Sequence, residues 1–340
     1  MKKKLVVLAS IMVLAFTGCG SNGAEGADAK VENLKGEENA GTDNQTLEDD
    51  MKEADNQAED IQKEEEIPEE VEIGGKMYST SLTDLSLTYD GFTSDEVVNL
   101  KYMVNLKELD LSSNNLTDIS MLANLEQLEV LRLKHNSKIE DFSPLSNLAK
   151  LRILSFGGCS AKDISFLEKL TNLESLSMGL NSITDITPLQ NLVNLTSLYM
   201  GGNKIEDISP LASLTNLTTL EMECCKITDI SPLENLTNLE SLTAYGNQIS
   251  DISALSKLTK LEELEIGANS ITDASPLKDL PKLEDISIYD NQLSDLEPFK
   301  SIPKLENLSI SGNNVTNAQV EAFIAEMPEW PDFCCTFKEE

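Results

Sequence analysis

A leucine recurs along most of this chain at a nearly constant spacing, and no other feature of the sequence constrains the fold as strongly. Eight of the nine intervals between these leucines are 22 residues long and one is 23. The recurring residues are Leu106, Leu128, Leu151, Leu173, Leu195, Leu217, Leu239, Leu261, Leu283 and Leu305. Each opens the same pattern, which reads LTSLYMGGNKIEDISPLASL from Leu195 to Leu214. A period in this range indicates one small structural unit stacked many times along an axis.

The residue types within one repeat predict its local structure. Apolar residues at positions one, four and six are expected to point inward from a short strand and its entry. An Asn at position nine carries two amide donors and one carbonyl acceptor, enough to satisfy turn backbone groups from within the core. A Ser–Pro pair such as Ser209–Pro210 predicts a helix N-cap followed by a first helical residue, and hence a short 3₁₀ or helical turn. The asparagines are Asn114, Asn136, Asn181, Asn203, Asn247, Asn269, Asn291 and Asn313.

This pattern resembles the leucine-rich repeat of the internalin type, and the likeness covers residues about 80–316. The resemblance implies an α/β solenoid: a right-handed superhelix with a parallel β-sheet on its concave face and 3₁₀ or short helical turns on its convex face. Because one repeat cannot bury its own apolar face, stacking is what gives the continuous core. The resemblance also implies a binding scaffold with no cofactor and no enzymatic activity.

The first residues have the composition of an export signal. A basic start, Lys2–Lys4, precedes an apolar run from Leu5 to Phe16, and Cys19 follows the small Gly18. This order is typical of a secretory signal and resembles the bacterial lipoprotein signal, in which the Cys becomes the acylated first residue. We therefore predict a signal peptide over residues 1–18, lipid attachment at Cys19, and a location on the extracytoplasmic face of a bacterial plasma membrane. An ordinary signal peptide with a chance Cys, or an uncleaved anchor, is the alternative.

An acidic segment follows the signal. Residues 20–72 contain 19 acidic residues and four lysines. Such a segment cannot bury enough apolar surface to offset its chain entropy, so residues 19–72 are predicted to form a lipid-anchored, disordered linker. The whole chain carries 59 Asp and Glu against 26 Lys and Arg, a formal charge of −33. This excess argues against nucleic acid as a partner, because phosphates require clustered Lys and Arg.

Caps are expected at both ends of the ten repeats at 106–316, because the end coils would otherwise expose leucine. At the N-terminal end, residues 73–105 should form a cap, with a strand at Val71–Lys76 and a capping box at Thr93–Glu96 that opens a short helix through Leu100. A degenerate first repeat is marked by Leu82, Leu85 and Leu87.

Residues 317–340 should form the C-terminal cap. Its expected elements are a helix and then a closing edge strand from Pro331 to Phe337. The helix should present one apolar face made of Val320, Phe323, Ile324 and Met327.

Two other recurrent features suggest chemistry that the pattern does not support. A column of aspartates could suggest calcium, but one carboxylate per coil does not supply the six or more oxygens that calcium prefers, so we interpret the column as structural. Cys159 and Cys225 occupy the Asn position and are predicted to be buried and inert. The redox state of Cys224, Cys334 and Cys335 stays open. The aspartates are Asp118, Asp141, Asp163, Asp185, Asp207, Asp229, Asp251, Asp273 and Asp295.

The remaining candidate site is the concave face, where strand side chains alternate with the buried leucines. Its basic residues lie early in the array, its acidic residues lie later, and three tyrosines offer rigid contact area. The candidate partner-binding residues are Arg132, Lys134, Tyr199, Glu221, Glu223, Tyr245, Glu263, Glu265, Asp285 and Tyr289. We expect a monomeric protein that binds a protein or peptide with a basic surface. The alternative is an envelope protein that binds cell-wall glycan or acts as a spacer, although the only Trp, Trp330, falls in the expected cap.

Overall fold

The computed structural model describes residues 67–326 and 332–334. All of them except residues 67 and 68 belong to one compact unit, Glu69–Glu340. The predicted signal peptide, the lipid site at Cys19 and most of the acidic linker lie outside the described residues. Within the described part, no helix has the length and apolar character needed to span a membrane.

Parallel strands of three residues form one continuous sheet in chain order, one strand from each repeat. Each strand pairs in register with the next, so that Leu198 lies beside Leu220 and Leu220 beside Leu242. Strands β1 at Glu70–Ile73 and β2 at Lys76–Ser79 precede this sheet and form a separate hairpin. The sheet itself has twelve strands. They are β3 Asp84–Ser86, β4 Glu108–Asp110, β5 Val130–Arg132, β6 Ile153–Ser155, β7 Ser175–Ser177, β8 Ser197–Tyr199, β9 Thr219–Glu221, β10 Ser241–Thr243, β11 Glu263–Glu265, β12 Asp285–Ser287, β13 Asn307–Ser309 and β14 Asp332–Cys334.

Short 3₁₀ turns return the chain on the convex side between consecutive strands. They are Ser120–Leu122, Ser143–Asn147, Ser165–Lys169, Thr187–Leu189, Ser209–Ser213, Ser231–Asn235, Ser253–Lys257 and Ser275–Leu277. The return before β13 is instead a short α-helix, α1 at Glu297–Lys300. Strand and turn therefore alternate with the repeat period, and the predicted α/β solenoid with its concave parallel sheet is confirmed.

The core is a stack of identical layers. Leu195, Leu198 and Met200, at positions one, four and six of their repeat, are fully buried, as are their counterparts in neighbouring coils. One aromatic cluster interrupts the aliphatic stack next to the 23-residue repeat. Its rings, Phe142, Phe156 and Phe166, have centroids 5.3 to 5.7 Å apart.

The asparagines at position nine join neighbouring coils, as predicted. The Asn203 amide nitrogen donates to the carbonyl oxygens of Met178 at 3.0 Å and Met200 at 2.8 Å. Its side-chain oxygen accepts the backbone N–H of Ile183 at 3.0 Å. One side chain thus satisfies three backbone groups that have no strand partner, two of them on the preceding coil. The pattern recurs with the corresponding neighbours at Asn181, Asn247 and Asn291.

The predicted role of Ser as N-cap is wrong, and the aspartate column takes that role instead. Ser209 is the first residue of its turn, and its side chain does not cap the turn. Asp207 Oδ1 accepts the backbone N–H of Ser209 at 2.8 Å, and Asp207 Oδ2 accepts the Ser209 hydroxyl at 3.0 Å. Asp141 binds Ser143 in the same way, and these hydrogen bonds lower the pKa of Asp141. The column is therefore structural, because each carboxylate holds the start of a turn.

The N-terminal cap differs from prediction in one element. The strand expected at Val71–Lys76 is an antiparallel hairpin, β1 at Glu70–Ile73 and β2 at Lys76–Ser79. Gly74–Gly75 forms its turn with φ of +56° and +78°, a conformation that favours glycine. After the hairpin, a 3₁₀ helix spans Asp95–Tyr102. The backbone N–H of Thr93 donates to the Glu96 carboxylate at 2.8 Å, which is the reciprocal half of the predicted capping box.

The C-terminal cap contains helix α2 at Asn317–Glu326, followed by β14, which pairs in parallel with β13. Val320 and Phe323 are buried, in keeping with the predicted apolar face. Ile324 is 46% exposed, so its assignment to that face is wrong. Met327 lies outside the described residues.

Candidate binding face

The concave face consists of three columns of side chains that run across the strands. The first two columns are the outward residues of each strand, and the third follows two residues later, where the backbone ladder continues. The first column is Asp84, Glu108, Val130, Ile153, Ser175, Ser197, Thr219, Ser241, Glu263, Asp285 and Asn307. The second is Ser86, Asp110, Arg132, Ser155, Ser177, Tyr199, Glu221, Thr243, Glu265, Ser287 and Ser309. The third is Thr88, Ser112, Lys134, Gly157, Gly179, Gly201, Glu223, Tyr245, Gly267, Tyr289 and Ser311.

All ten candidate residues lie on these columns, but the structure separates them into two groups. Arg132 and Lys134 belong to the coil of β5, whereas the acidic candidates begin at β9. Four strand intervals of ~4.8 Å separate Arg132 from Glu221, a backbone distance of about 19 Å. Tyr199 lies between the two groups, next to Glu221 in the second column.

The acidic patch comprises Glu221, Glu223, Glu263 and Glu265. Glu221 lies on β9 and Glu223 just after it, whereas Glu263 and Glu265 lie on β11. Glu221 is half-buried, and its pKa is raised to about 7. The main cause is burial, and the negative charges of Glu223 and Glu265 add to it. The positive charge of Lys134 has the opposite, smaller effect. Partial burial and then the charge of Glu265 raise the pKa of Glu223 as well. Loss of hydration inside the concavity, and then the charge of Glu263, raise the pKa of Glu265, although much of its side chain remains exposed.

One oxygen of this patch has no partner. Glu223 Oε2 is buried and makes no hydrogen bond with the described residues. The carboxylate folds back over the preceding coil, and it does so because Gly201 has no side chain: a methyl group there would overlap it. A buried carboxylate oxygen without a partner carries a free-energy cost, and that cost is largest for the ionised form.

The tyrosines line the same surface but do not form one column. Tyr199 stands in the second column, and Tyr245 and Tyr289 stand in the third; all three are half-buried. The Tyr289 ring covers Gly267, since a side chain at that position would overlap it. Burial, and then the charge of Glu223, raise the pKa of Tyr245, so its hydroxyl stays protonated near neutral pH and can donate.

The basic end of the face contains a depression of about 590 Å³. Arg132, Lys134 and His135 line one side of it, and Ser155 and Tyr199 lie on the other strands of its floor. Arg132 is half-buried and Lys134 is exposed. This end therefore combines a depression with basic side chains, whereas the patch on the later coils is acidic.

Two exposed apolar residues beside the third column were not recognised from the sequence. Tyr89 and Leu180 are 81% and 67% exposed and have φ of +61° and +55°. Glycine, which adopts this conformation without strain, occupies the same place in four other coils, for example Gly158 and Gly202. The remaining coils have other residues there, such as Ser113 and His135. A large apolar residue at this turn position was the available signal, because a strained and exposed apolar residue is unusual without a function.

The cysteines at the Asn position are buried and free, as predicted. Cys159 Sγ donates to the carbonyl oxygen of Leu133 at 3.1 Å, which replaces one of the usual Asn bonds. Burial raises the pKa of Cys159 to about 11, so its thiol stays protonated near neutral pH.

Family models match most of the repeat array. One, described as a leucine-rich repeat region, matches residues 135–334, and a second, described as two copies of the leucine-rich repeat, matches residues 104–147. No curated protein sequence matches the chain at a significant level.

Several solved structures have the same architecture. The chain is similar to an internalin, InlF, of Listeria monocytogenes, with 32% identity over 78% of this chain and 86% of that one and a TM-score of 0.65. It is also similar to internalin C2 of the same species, with 33% identity over 65% of this chain and 86% of that one and a TM-score of 0.50. The Arabidopsis receptor kinase HAESA, in complex with the peptide hormone IDA and a co-receptor, is 20% identical over 75% of this chain and 46% of its own, with a TM-score of 0.62. The last likeness shows the fold alone.

Proposed function

This chain belongs to the leucine-rich-repeat proteins of the internalin type, and we propose that its concave face binds a protein or peptide ligand that carries a basic surface. The observation that carries the proposal is the acidic patch. The carboxylates of Glu221, Glu223 and Glu265 have raised pKa values, and one oxygen of Glu223 is buried without a partner. A surface that stores charge repulsion in this way is more typical of a binding site than of a solvated sheet.

A cationic partner would reduce the electrostatic repulsion among the carboxylates of the acidic patch. Partial burial and like-charge crowding both disfavour ionised carboxylates, and a Lys or Arg brought in by a ligand offsets both effects at once. Tyr245 lies directly beside Glu223, and Tyr199 lies beside Glu221. Aromatic rings at these places add contact area at low entropic cost, so charge and apolar contact coincide on the same part of the face.

Catalysis is not part of this proposal. Cys159 is fully buried, and its pKa is about 11. The thiolate is the reactive form of cysteine, so this thiol has neither the charge nor the access that a nucleophile requires.

The proposal also includes display outside the cell. Cys19 would carry the lipid, and residues 19–72 would act as an acidic spacer between the membrane and the array. Cys19→Ser should release the protein into the medium or leave an uncleaved precursor, as measured by fractionation and immunoblotting. Normal processing with unchanged membrane retention would contradict the anchor, while leaving the binding face unaffected.

Synthetic peptides test the binding face directly. Immobilised ten-residue peptides rich in lysine should bind the full chain, with an affinity that falls as salt rises, and glutamate-rich peptides of matched length should not. A variant in which the four glutamates of the acidic patch become glutamine should lose at least ~10-fold in affinity for the lysine-rich peptides.

The matched control removes four charges from the other side of the array. Its substitutions are Asp207→Asn, Asp229→Asn, Asp251→Asn and Asp273→Asn. Asparagine keeps the oxygen that accepts the turn N–H, so the fold should persist. Binding should stay close to that of the parent. An equal loss from both variants, or a loss from the control alone, would show that net charge or another surface governs binding.

A further inference from the structure

Two basic residues of the concave face make no ion pair within the described residues, unlike several cations that lie just before the strands. Arg152 forms a two-pronged pair with Glu174 at 2.8 and 2.9 Å, and Lys282 and Lys304 also make ion pairs. Within the described residues, neither Arg132 nor Lys134 makes an ion pair or a side-chain hydrogen bond. The half-buried guanidinium of Arg132 therefore keeps five N–H donors available for an anionic group.

A third unpartnered group lines the same depression. Ser155 is only 6% exposed, and its buried Oγ makes no hydrogen bond with the described residues. It is the neighbour of Arg132 in the second column, on the adjacent strand β6. A hydroxyl, a guanidinium and an ammonium group thus line a cavity of about 590 Å³. Buried hydroxyls are rarely left without a partner, so this one is expected to meet an acceptor from a ligand.

The net charge of the residues that line the depression favours a ligand group with a single negative charge. Asp110 is the neighbour of Arg132 on the other side, on β4, and it also lines the cavity. Two cations and one carboxylate leave a formal charge of +1, which suits a carboxylate better than a doubly charged phosphate. The planar guanidinium of Arg132 also matches the two oxygens of a carboxylate.

The floor between the basic end and the acidic patch is made of small residues. From β6 to β8 the second and third columns present Ser155, Ser177, Gly157 and Gly179, with Tyr199 as the large exception. The Glu223 carboxylate covers Gly201 and closes this floor on the acidic side. Glycine leaves the sheet backbone itself as the surface, so an extended chain can lie against it. The distance of about 19 Å between the backbones of Arg132 and Glu221 corresponds to about six extended residues, and fewer where long side chains lean inward.

We propose that Arg132, Lys134 and Ser155 bind a carboxylate of an extended peptide segment of the partner. A Lys or Arg three to six residues away in that segment reaches Glu221 and Glu223. This inference rests on the proposed function, because it specifies the ligand of the same face. The carboxylate is either an Asp or Glu side chain or a free C-terminus.

The test uses labelled peptides with one Glu and one Lys, separated by one to eight residues of Ser and with both ends blocked, and measures their affinity for the full chain by fluorescence anisotropy. We expect the tightest binding when the two charges are three to six residues apart, and a loss of at least ~10-fold when Glu becomes Gln. A second series replaces Glu by a free C-terminal carboxylate, and a third replaces it by phosphoserine.

Variants assign the effect to the pocket. Arg132→Gln/Lys134→Gln should abolish the difference between Glu and Gln peptides while keeping the requirement for Lys, and Ser155→Ala should reduce that difference. The matched control is Lys150→Gln/Arg152→Gln, which removes two cations at the same spacing on the next coil, off the concave columns. It should leave the Glu dependence intact.

Each outcome decides something. Binding that requires Lys but not Glu would overturn the carboxylate pocket and leave the proposed function standing. Binding that requires Glu but not Lys would retain the pocket and contradict the acidic patch as a binding site. Tighter binding of phosphoserine than of either carboxylate would overturn the assignment of a singly charged ligand. If no peptide in the series binds, both proposals are wrong.

Discussion

Replacing Glu221 by Gln should stabilise the folded protein at neutral pH. Partial burial and the neighbouring carboxylates raise the pKa of Glu221 from 4.5 to about 7. Between these two values the folded state holds a proton that the unfolded state has released. The free energy of unfolding must therefore fall as pH rises from about 4.5 to about 7, because the state with more bound protons loses stability as protons become scarce. Glutamine cannot ionise and escapes this loss.

The size of the effect follows from the same pKa. A displacement from 4.5 to about 7 corresponds to ~3 kcal/mol if none of it is screened. Glu221 is only half-buried, so water and salt reduce this figure. We expect Glu221→Gln to gain about 1 to 2 kcal/mol over the parent at pH 7.5 and close to nothing at pH 4.5.

Urea denaturation followed by circular dichroism, at pH 4.5, 6.0 and 7.5, measures this difference. Glu126→Gln serves as the matched control, because Glu126 is exposed and makes no ion pair within the described residues. It should shift the urea midpoint by the same small amount at every pH. A gain from Glu221→Gln that is independent of pH, or a loss at pH 7.5, would refute the electrostatic account of the acidic patch.

Further predictions concern the array itself and are measured by urea denaturation of the full chain. Leu220→Ala should cost about 2–5 kcal/mol, because Leu220 is fully buried in the middle of the stack and a cavity would remain; an unchanged midpoint would contradict the repeat register. Asn203→Ala should cost about 1–3 kcal/mol because buried backbone groups lose their partner, and Asn203→Cys should cost less, since Cys159 keeps one such bond at the same position. Equal losses from both would argue against the hydrogen-bond ladder. Leu180→Gly should stabilise by about 1 kcal/mol, because the backbone there has φ of +55°; destabilisation would show that the exposed Leu180 side chain contributes packing.

The repeated elements could be predicted because each position meets the same surroundings in every coil. An Asn that must satisfy three backbone groups is needed wherever the same turn recurs, so its period reveals its role. The capping residue could not be assigned in the same way, because Asp and Ser both recur with every turn and both carry oxygens that cap. Which residue caps the turn depends on whether its side chain can reach the first backbone N–H of the turn. Asp207 lies two residues before that N–H, and its carboxylate accepts it. Ser209 is already the first residue of the turn.

The caps were less predictable because they occur once. The apolar alternation at Val71–Lys76 suggests one strand, but Gly74–Gly75 reverses the chain within it. Ile324 has the spacing of a buried residue on α2, yet it is 46% exposed. A helix at the end of a stack buries only one face against the last coil, and the sequence alone does not determine how many residues that buried face includes.

The positions of the candidate binding residues followed from strand alternation, but their electrostatic state did not. All ten lie on the concave columns, as alternation requires. The sequence could not show that Glu223 Oε2 and Ser155 Oγ are buried without partners, since this depends on how side chains of adjacent coils fold over glycine. The unpaired state of Arg132 likewise depends on its neighbours across the sheet, which are 22 or 23 residues away in sequence.

The charged residues of the array form two groups with different surroundings. Just before the strands, opposite charges on adjacent coils pair, as in Lys107–Glu129 at 3.7 Å and Arg152–Glu174 at 2.8 Å. On the concave face, Glu263 and Asp285 are neighbours of like charge, and a floor of small residues separates Arg132 and Lys134 from the acidic patch. A ligand that supplies only one of the two complementary charges leaves the other end unpaired, and an unpaired half-buried charge carries a cost. Discrimination between ligands therefore follows from the separation of the charges on the face more than from their number, because only a segment with both charges at the right spacing satisfies Arg132 and Glu221 together.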